Sequence, residues 1–328
     1  MSQKLFLHEY CLDFKEPQLV GNTLLKQRKG LLIACSSSKQ VSEAAPLPGY
    51  SLETLETVKK ELEHFTFSSC CLEKLTEILL KSSLSNASLF GLFSLALKQQ
   101  PLKYPDAKIS YRSYIDIPCF VPHWEQKILK KIQESIDLNM LYIKIKMSSY
   151  TLDQTLHVLT LIKNRSFKNI QLHLDFNQKL TYEGACYLFQ TFSKKDFFLI
   201  EDPVSDLEEL KKLSDKYCFS LALDQTLRDH PWDQLAQLKN ISCLMIKPTL
   251  SMRLLLDAQF LSWVKSNSAG IDLSSCYESP IGLACIQQLG CHLFEAFSLG
   301  IDTEKLFTKP YPLFPSQKDF EGLCCPAS

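Results

Sequence analysis

Six polar residues close short apolar runs in the second half of the chain: Lys146, Asp175, Glu201, Asp224, Lys247 and Ser274, each 23 to 29 residues after the one before. That interval is about one strand plus one crossover helix when a barrel of roughly 200 to 250 residues is divided into eight units. In such a fold the C-terminal strand ends meet at one mouth, so residues distant in sequence become neighbours there. A charge buried at a strand end is costly unless it pairs, binds metal or does chemistry.

Asp175, Glu201 and Asp224 come from consecutive units. Taken singly, each would more often be a helix cap or a loop salt bridge. Three in register call for a cation between them, and an all-oxygen set with no His or Cys favours a hard ion, Mg²⁺ ahead of Mn²⁺. Lys144 and Lys146 are two residues apart on a strand and so share a face. A lone Lys-x-Lys is usually a solvated edge; beside the carboxylates it reads as catalytic. As like charges in a confined site each is expected to lower the other's pKa, suiting one to act as a base near neutral pH. Lys247 stands on the far side of the trio in sequence. A metal with flanking lysines is suited to removing a proton α to a carboxylate and holding the enediolate that results.

The elements that must position these groups are legible as alternation. From about Ile109, β-like runs at 114–117, 141–147, 170–175, 197–201, 220–224, 243–247 and 270–274 alternate with helical periodicity at 152–163, 182–192, 206–213 and 252–266. Such alternation implies parallel strands with crossover helices, and seven or eight units suggest closure into a barrel. Residues 1–106 read as a separate α/β unit. Strands are expected at 5–14 and 30–35, followed by the proline loop at 44–49. A helix then carries Leu52, Leu55, Val58 and Leu62 with Ser51 as its N-cap, and two more helices cover 73–82 and 88–99. The tail from Leu306, rich in proline and aromatics, is expected to pack back on this first domain, leaving 107–305 as the barrel.

Composition narrows the functional classes. The 328 residues are 45% hydrophobic and 22% charged, with 36 basic and 36 acidic side chains. That balance argues against a nucleic-acid partner, and no apolar run approaches the roughly 20 residues of a membrane span. Residues 1–10 mix Lys4, His8 and Glu9 into the apolar positions, unlike a secretory leader, so a cytoplasmic location is expected. The 13 cysteines are odd in number and have no Cys-x-x-Cys spacing, which suits reduced thiols rather than a disulfide framework or a zinc site.

At this point the motifs resemble a known family. Lys144-Ile145-Lys146, Leu174-Asp175-Phe176-Asn177, Ile200-Glu201-Asp202-Pro203 and Leu223-Asp224-Gln225 resemble the strand ends of the enolase superfamily. Ile246-Lys247-Pro248-Thr249-Leu250, the loop Glu43-Ala44-Ala45-Pro46-Leu47-Pro48-Gly49-Tyr50-Ser51 and the segment from Ser274 to Leu283 are similar to its o-succinylbenzoate synthases. The resemblance implies an α/β fold, a (β/α)₇β TIM-type barrel with an N-terminal α+β capping domain. It implies Mg²⁺ on Asp175, Glu201 and Asp224, Lys146 as base and then acid, Lys144 as its tuner, and Lys247 stabilising the intermediate. A small-molecule carboxylate substrate would meet Pro48, Gly49, Tyr50, Asn177, Ser274, Ser275 and Glu278. The product implied is o-succinylbenzoate, a precursor of menaquinone.

Four positions depart from the family pattern: Asp202 where Glu is usual, Gln225 where an acid commonly follows the third ligand, Met147 where Gly is frequent, and residues 37–42 without glycine. Two rival readings remain. An N-acylamino-acid racemase or dipeptide epimerase would use the same metal site and both lysines, and a barrel that has lost its chemistry would serve as a binding protein. Oligomeric state is not legible.

Overall fold

The computed structural model describes residues 2–35, 38–68, 72–301 and 303–308. The chain separates into two compact units: residues 1–108, 246–262 and 273–328 form one, and 109–245 with 263–272 form the other.

The first unit opens with β1 (Ser2–Gln3), β2 (Leu5–Val20), β3 (Thr23–Cys35) and β4 (Ser38–Ala44). The last three form an antiparallel sheet in the order β2-β3-β4. Alternation drives β2: Tyr10, Leu12 and Phe14 are buried while Glu9, Cys11 and Asp13 between them are exposed, the period-two pattern of a sheet with one wet face. α1 (Leu55–His64), β5 (Phe67–Ser68), α2 (Leu72–Lys81) and α3 (Asn86–Leu97) follow. The first helix starts three residues later than expected from Ser51. Thr54 is its N-cap, accepting the amide of Thr57, because the Ser51 hydroxyl is already committed to the amide of Leu47 at 2.8 Å.

Nine further strands carry the barrel pattern: β6 (Lys108–Tyr111), β7 (Ser113–Ile115), β8 (Tyr142–Lys146), β9 (Gln171–Asp175), β10 (Leu199–Glu201), β11 (Leu221–Leu223), β12 (Ile241–Ile246), β13 (Gly270–Ser274) and β14 (Ala296–Gly300). They form one sheet in the order β6-β14-β13-β12-β11-β10-β9-β8-β7. From β7 to β12 each neighbour is paired in parallel. Between the strands run α4 (Trp124–Asp137), α5 (Leu152–Arg165), α6 (Tyr182–Thr191), α7 (Leu207–Lys216), the short α8 (Gln225–Asp229) and α9 (Trp232–Leu235), α10 (Pro248–Leu256), α11 (Ala258–Asn267) and α12 (Pro280–Leu293). The architecture is the (β/α)₇β barrel with an N-terminal α+β domain. The helix expected over 252–266 is two helices. Asp257 breaks it by leaving helical geometry and accepting the amides of Gln259 and Phe260 at 2.7 and 3.2 Å, so it caps the second.

At the far end of the chain Phe307 is fully buried and stacks on Phe14 at 4.7 Å, and the Thr308 amide donates to the Asp13 carbonyl at 2.9 Å. The rest of the expected tail packing, 309–328, lies outside the described residues. No helix among the described residues is long and apolar enough to cross a membrane.

Candidate functional site

Strand register does most of the assembly. Lys146 pairs with Asp175 across β8 and β9, and Asp175 with Glu201 across β9 and β10. The three therefore form one cross-strand row, with side chains on one face of the sheet. Glu201 in turn pairs with Ala222 of β11, so Asp224, two residues on, is one side-chain step further along the same face. Two residues back from the row lie Lys144 and His173, themselves register partners.

Glu201 is fully buried and Asp175 nearly so. The Lys144 ammonium bridges them, donating to both Glu201 carboxylate oxygens at 2.8 Å and lying 2.9 Å from Asp175 Oδ2. Lys146, on the same face, makes no hydrogen bond or ion pair among the described residues. The expectation that the two lysines depress each other is corrected for Lys144. Burial pushes its pKa down, but the Asp175 and Glu201 carboxylates outweigh that and hold it well above the ordinary lysine value.

Three residues not singled out in the sequence complete the cluster. His173 is buried, and Arg112 reaches its Nδ1 at 2.9 Å while pairing with Asp272 on the other side. Burial, then the charges of Lys144 and Arg112, hold His173 far below the usual histidine pKa, so the ring is neutral. Its Nε2 lies 2.5 Å from Glu201 Oε2 yet off the hydrogen-bond direction, a close electrostatic approach rather than a directed bond. The signal was present: His173 lies two residues before Asp175, as Lys144 lies two before Lys146, so period two already placed it on the inner face.

Asp202, noted in the sequence only as a departure, has a defined place. It is fully buried with φ 41°, a left-handed conformation that Asp tolerates better than most residues. From there its Oδ2 accepts the amides of Asp224 at 3.2 Å and Gln225 at 2.5 Å, with Thr226 at 3.4 Å. The shorter acid thus holds the turn that presents Asp224. Burial, then repulsion from Asp224 and Glu201, pushes its pKa up to about 8.

Asp175, Glu201 and Asp224 outnumber the bridging Lys144 ammonium and offer only oxygen donors, which together suit a hard cation. Among the described residues no three His, Cys, Asp or Glu side chains converge closely enough to enclose an ion; Lys144 takes the place between Asp175 and Glu201. Asn177 follows at φ 45°, its amide donating to Asp175 Oδ1 at 3.1 Å.

The other candidates belong to the first unit. Lys247 caps α10, with Pro248 at the first helical position. Pro48, Gly49 and Tyr50 form an exposed turn, tied across its base by the Ser51 amide to the Leu47 carbonyl at 2.8 Å. Gly49 has φ 90°, and a Cβ there would collide with the Val20 carbonyl, so only glycine fits. The Ser275 hydroxyl meets that of Thr303 at 2.9 Å, and Ser274 ends β13. Glu278 is fully buried, its carboxylate taken by the Thr249 hydroxyl and the Cys276 amide, both at 2.5 Å.

Comparison with known proteins bears on these geometries. Residues 2–94 match the family described as MenC, N-terminal domain. The o-succinylbenzoate synthase of Pasteurella multocida is 23% identical over 95% of this chain and 94% of its own length. That of Aliivibrio fischeri is 26% identical over 92% and 90%. The o-succinylbenzoate synthases are thus what this chain resembles along most of its length. A dipeptide epimerase from Methylococcus capsulatus, solved with Mg and a dipeptide, has the same fold at TM-score 0.76 and 16% identity, over 94% of this chain and 93% of that one.

Proposed function

We propose that this protein is an o-succinylbenzoate synthase that dehydrates 2-succinyl-6-hydroxy-2,4-cyclohexadiene-1-carboxylate, a small-molecule carboxylate. The observation that carries the reading is the cross-strand row of Lys146, Asp175 and Glu201, in a chain whose sequence relatives are synthases of that name over nearly its whole length.

In this reading Asp175, Glu201 and Asp224 would hold Mg²⁺, with Mn²⁺ the second choice, and a bound cation would supply positive charge beside the substrate carboxylate. Lys146 removes the α-proton and returns it to the departing hydroxyl, so that water leaves. Its lack of partners supports this role, because its amine is not committed elsewhere. Lys144 is pinned by Asp175 and Glu201 and keeps them in place. Lys247 stabilises the enediolate by its charge. Pro48, Gly49, Tyr50, Asn177, Ser274 and Ser275 contact the substrate. Residues 1–106 serve as cap and 107–305 as the catalytic barrel. The proposed compartment is the cytoplasm, where thiols stay reduced; nine cysteines among the described residues stand outside any disulfide.

The test is turnover of the cyclohexadiene followed by loss of its absorbance, with Mg²⁺ and then with EDTA, alongside racemisation of N-acylamino acids and dipeptides by the same preparation. Mg²⁺-dependent dehydration is expected. Racemisation without dehydration would move the protein to the racemase branch, and Mg²⁺ binding with neither activity would count against catalysis of either kind.

A further inference from the structure

Arg28 lies on β3 and is fully buried. Its guanidinium bonds to main-chain carbonyls instead of carboxylates. Nε donates towards Cys276 and Tyr277, both at 3.2 Å. Nη1 donates to Lys29 at 3.0 Å and Pro46 at 2.7 Å, and Nη2 to Ala45. Two stretches more than 200 residues apart in sequence are thereby tied to one planar cation. No other side chain offers five N–H donors in a rigid fork.

Two buried acids continue the cluster. Glu43 accepts the Ser279 amide at 3.2 Å and also the Ser279 hydroxyl. Glu278 holds the Cys276 amide and the Thr249 hydroxyl, and Thr249 is two residues beyond Lys247. Helix α12 approaches both acids through Gly282, where an added Cβ would come within 2.6 Å of Glu278 Cβ and 2.7 Å of Glu43 Oε1.

We propose that Arg28 and Glu278 are positioning residues: Arg28 fixes the loop 45–51 and the segment 274–279 in one arrangement, and Glu278 fixes Lys247 through Thr249 without touching substrate. This rests on the functional reading above, in which those segments bind substrate and Lys247 stabilises the enediolate. The two arms have separable kinetic signatures. Loosening the loops weakens ground-state and transition-state binding alike and raises KM. Displacing Lys247 removes charge from the transition state and lowers kcat.

Arg28→Lys keeps the charge and loses the fork. It is expected to raise KM about tenfold or more, with kcat changed less than about threefold and the Mg²⁺ affinity measured by calorimetry unchanged. Thr249→Val should lower kcat about tenfold with KM within about twofold, and Thr249→Ser should restore it. Hydrogen exchange gives a readout that needs no substrate: Arg28→Lys should speed exchange at 45–51 and 274–279 together and leave β8 and β9 alone. A folded Arg28→Lys with wild-type KM and exchange, or Thr249→Val with wild-type kcat, overturns the proposal. Parallel losses in KM and kcat without rescue by Thr249→Ser overturn it too, since they mark a merely structural role. If Arg28→Lys does not fold, the Thr249 pair decides. Loosened exchange in a protein whose wild type leaves the cyclohexadiene untouched would instead sink the functional reading and leave the clamp standing.

Discussion

The carboxylate row on β8 to β10 and the Arg28 cluster of the first unit both bury charged side chains, yet they settle the charge differently. In the row, acids face acids: Asp175 and Glu201 share one bridging ammonium with Asp224 close by, and burial, then repulsion from Asp224 and Glu201, pushes the adjoining Asp202 to about 8. Around Arg28 the cation donates to neutral carbonyls, and each acid is held by hydroxyls and amides, with the Arg28 charge acting on both from nearby. Main-chain dipoles are fixed by the fold and cannot be titrated or moved without unfolding the loops that carry them. Charge against charge is strong but responsive, since one added cation or proton redistributes it. The first arrangement suits chemistry and the second suits holding things still.

The strongest attempt to break this contrast is at Lys146. Lys146→Arg is expected to keep the fold by circular dichroism and to keep Mg²⁺ binding. Turnover should fall at least about 10²- to 10⁴-fold, because guanidinium does not give up its proton at workable pH. Lys144→Arg should retain part of the activity; a Lys146→Arg enzyme at wild-type rate would remove the mechanism. Next comes Glu201→Gln, which halves the anionic pair around Lys144. Calorimetry should show Mg²⁺ binding lost and activity should drop about a hundredfold or more. Retained Mg²⁺ affinity would mean that the row is not the ion's site.

Asp202→Asn is expected to cost less, about two- to tenfold in kcat/KM, since it disturbs hydrogen bonds to the Asp224 turn each worth about 0.5 to 1.5 kcal/mol net. An unchanged rate would show that the turn holds without it. The smallest effect is at Glu43, on the quiet side of the comparison. Burial raises its pKa to about 7, with the Ser279 hydrogen bond opposing. The folded state therefore binds this proton more tightly than the unfolded chain, whose glutamate titrates near 4.3. Stability from this group is complete below that value and declines as pH rises towards about 7. Thermal melts of wild type should fall across that window and those of Glu43→Gln should flatten, by a few kcal/mol at most. Parallel melting curves would refute the shift.

The barrel and its row were legible because both rest on period and spacing. Strand ends at 175 and 201 fall where sequence alternation puts them, and register converts that spacing into contact. What escaped was interaction that spacing does not encode. Arg28 and Asp272 look like any charged residues in apolar surroundings, and their partners are carbonyls and a distant arginine. Asp202 was visible only as a substitution, since its role depends on a left-handed backbone. Glu278 was read from its motif as a substrate contact, and its bonds to Thr249 and Cys276 were not encoded in that motif. The helix break at Asp257 was hidden because the apolar periodicity runs on through it.

In the proposed reading, the turn at 48–50 bears on how substrate preference changes over evolution. Its ends are stitched together by the bonds between Leu47 and Ser51, and Gly49 is locked against Val20, so its frame is set largely by main-chain contacts. The two exposed side chains of Pro48 and Tyr50 can vary while the frame that displays them stays put. A saturation library at 48 and 50 should yield mostly folded proteins with altered substrate range, while one at 49 should yield mostly losses. The loop is a replaceable cassette with a single invariant rivet.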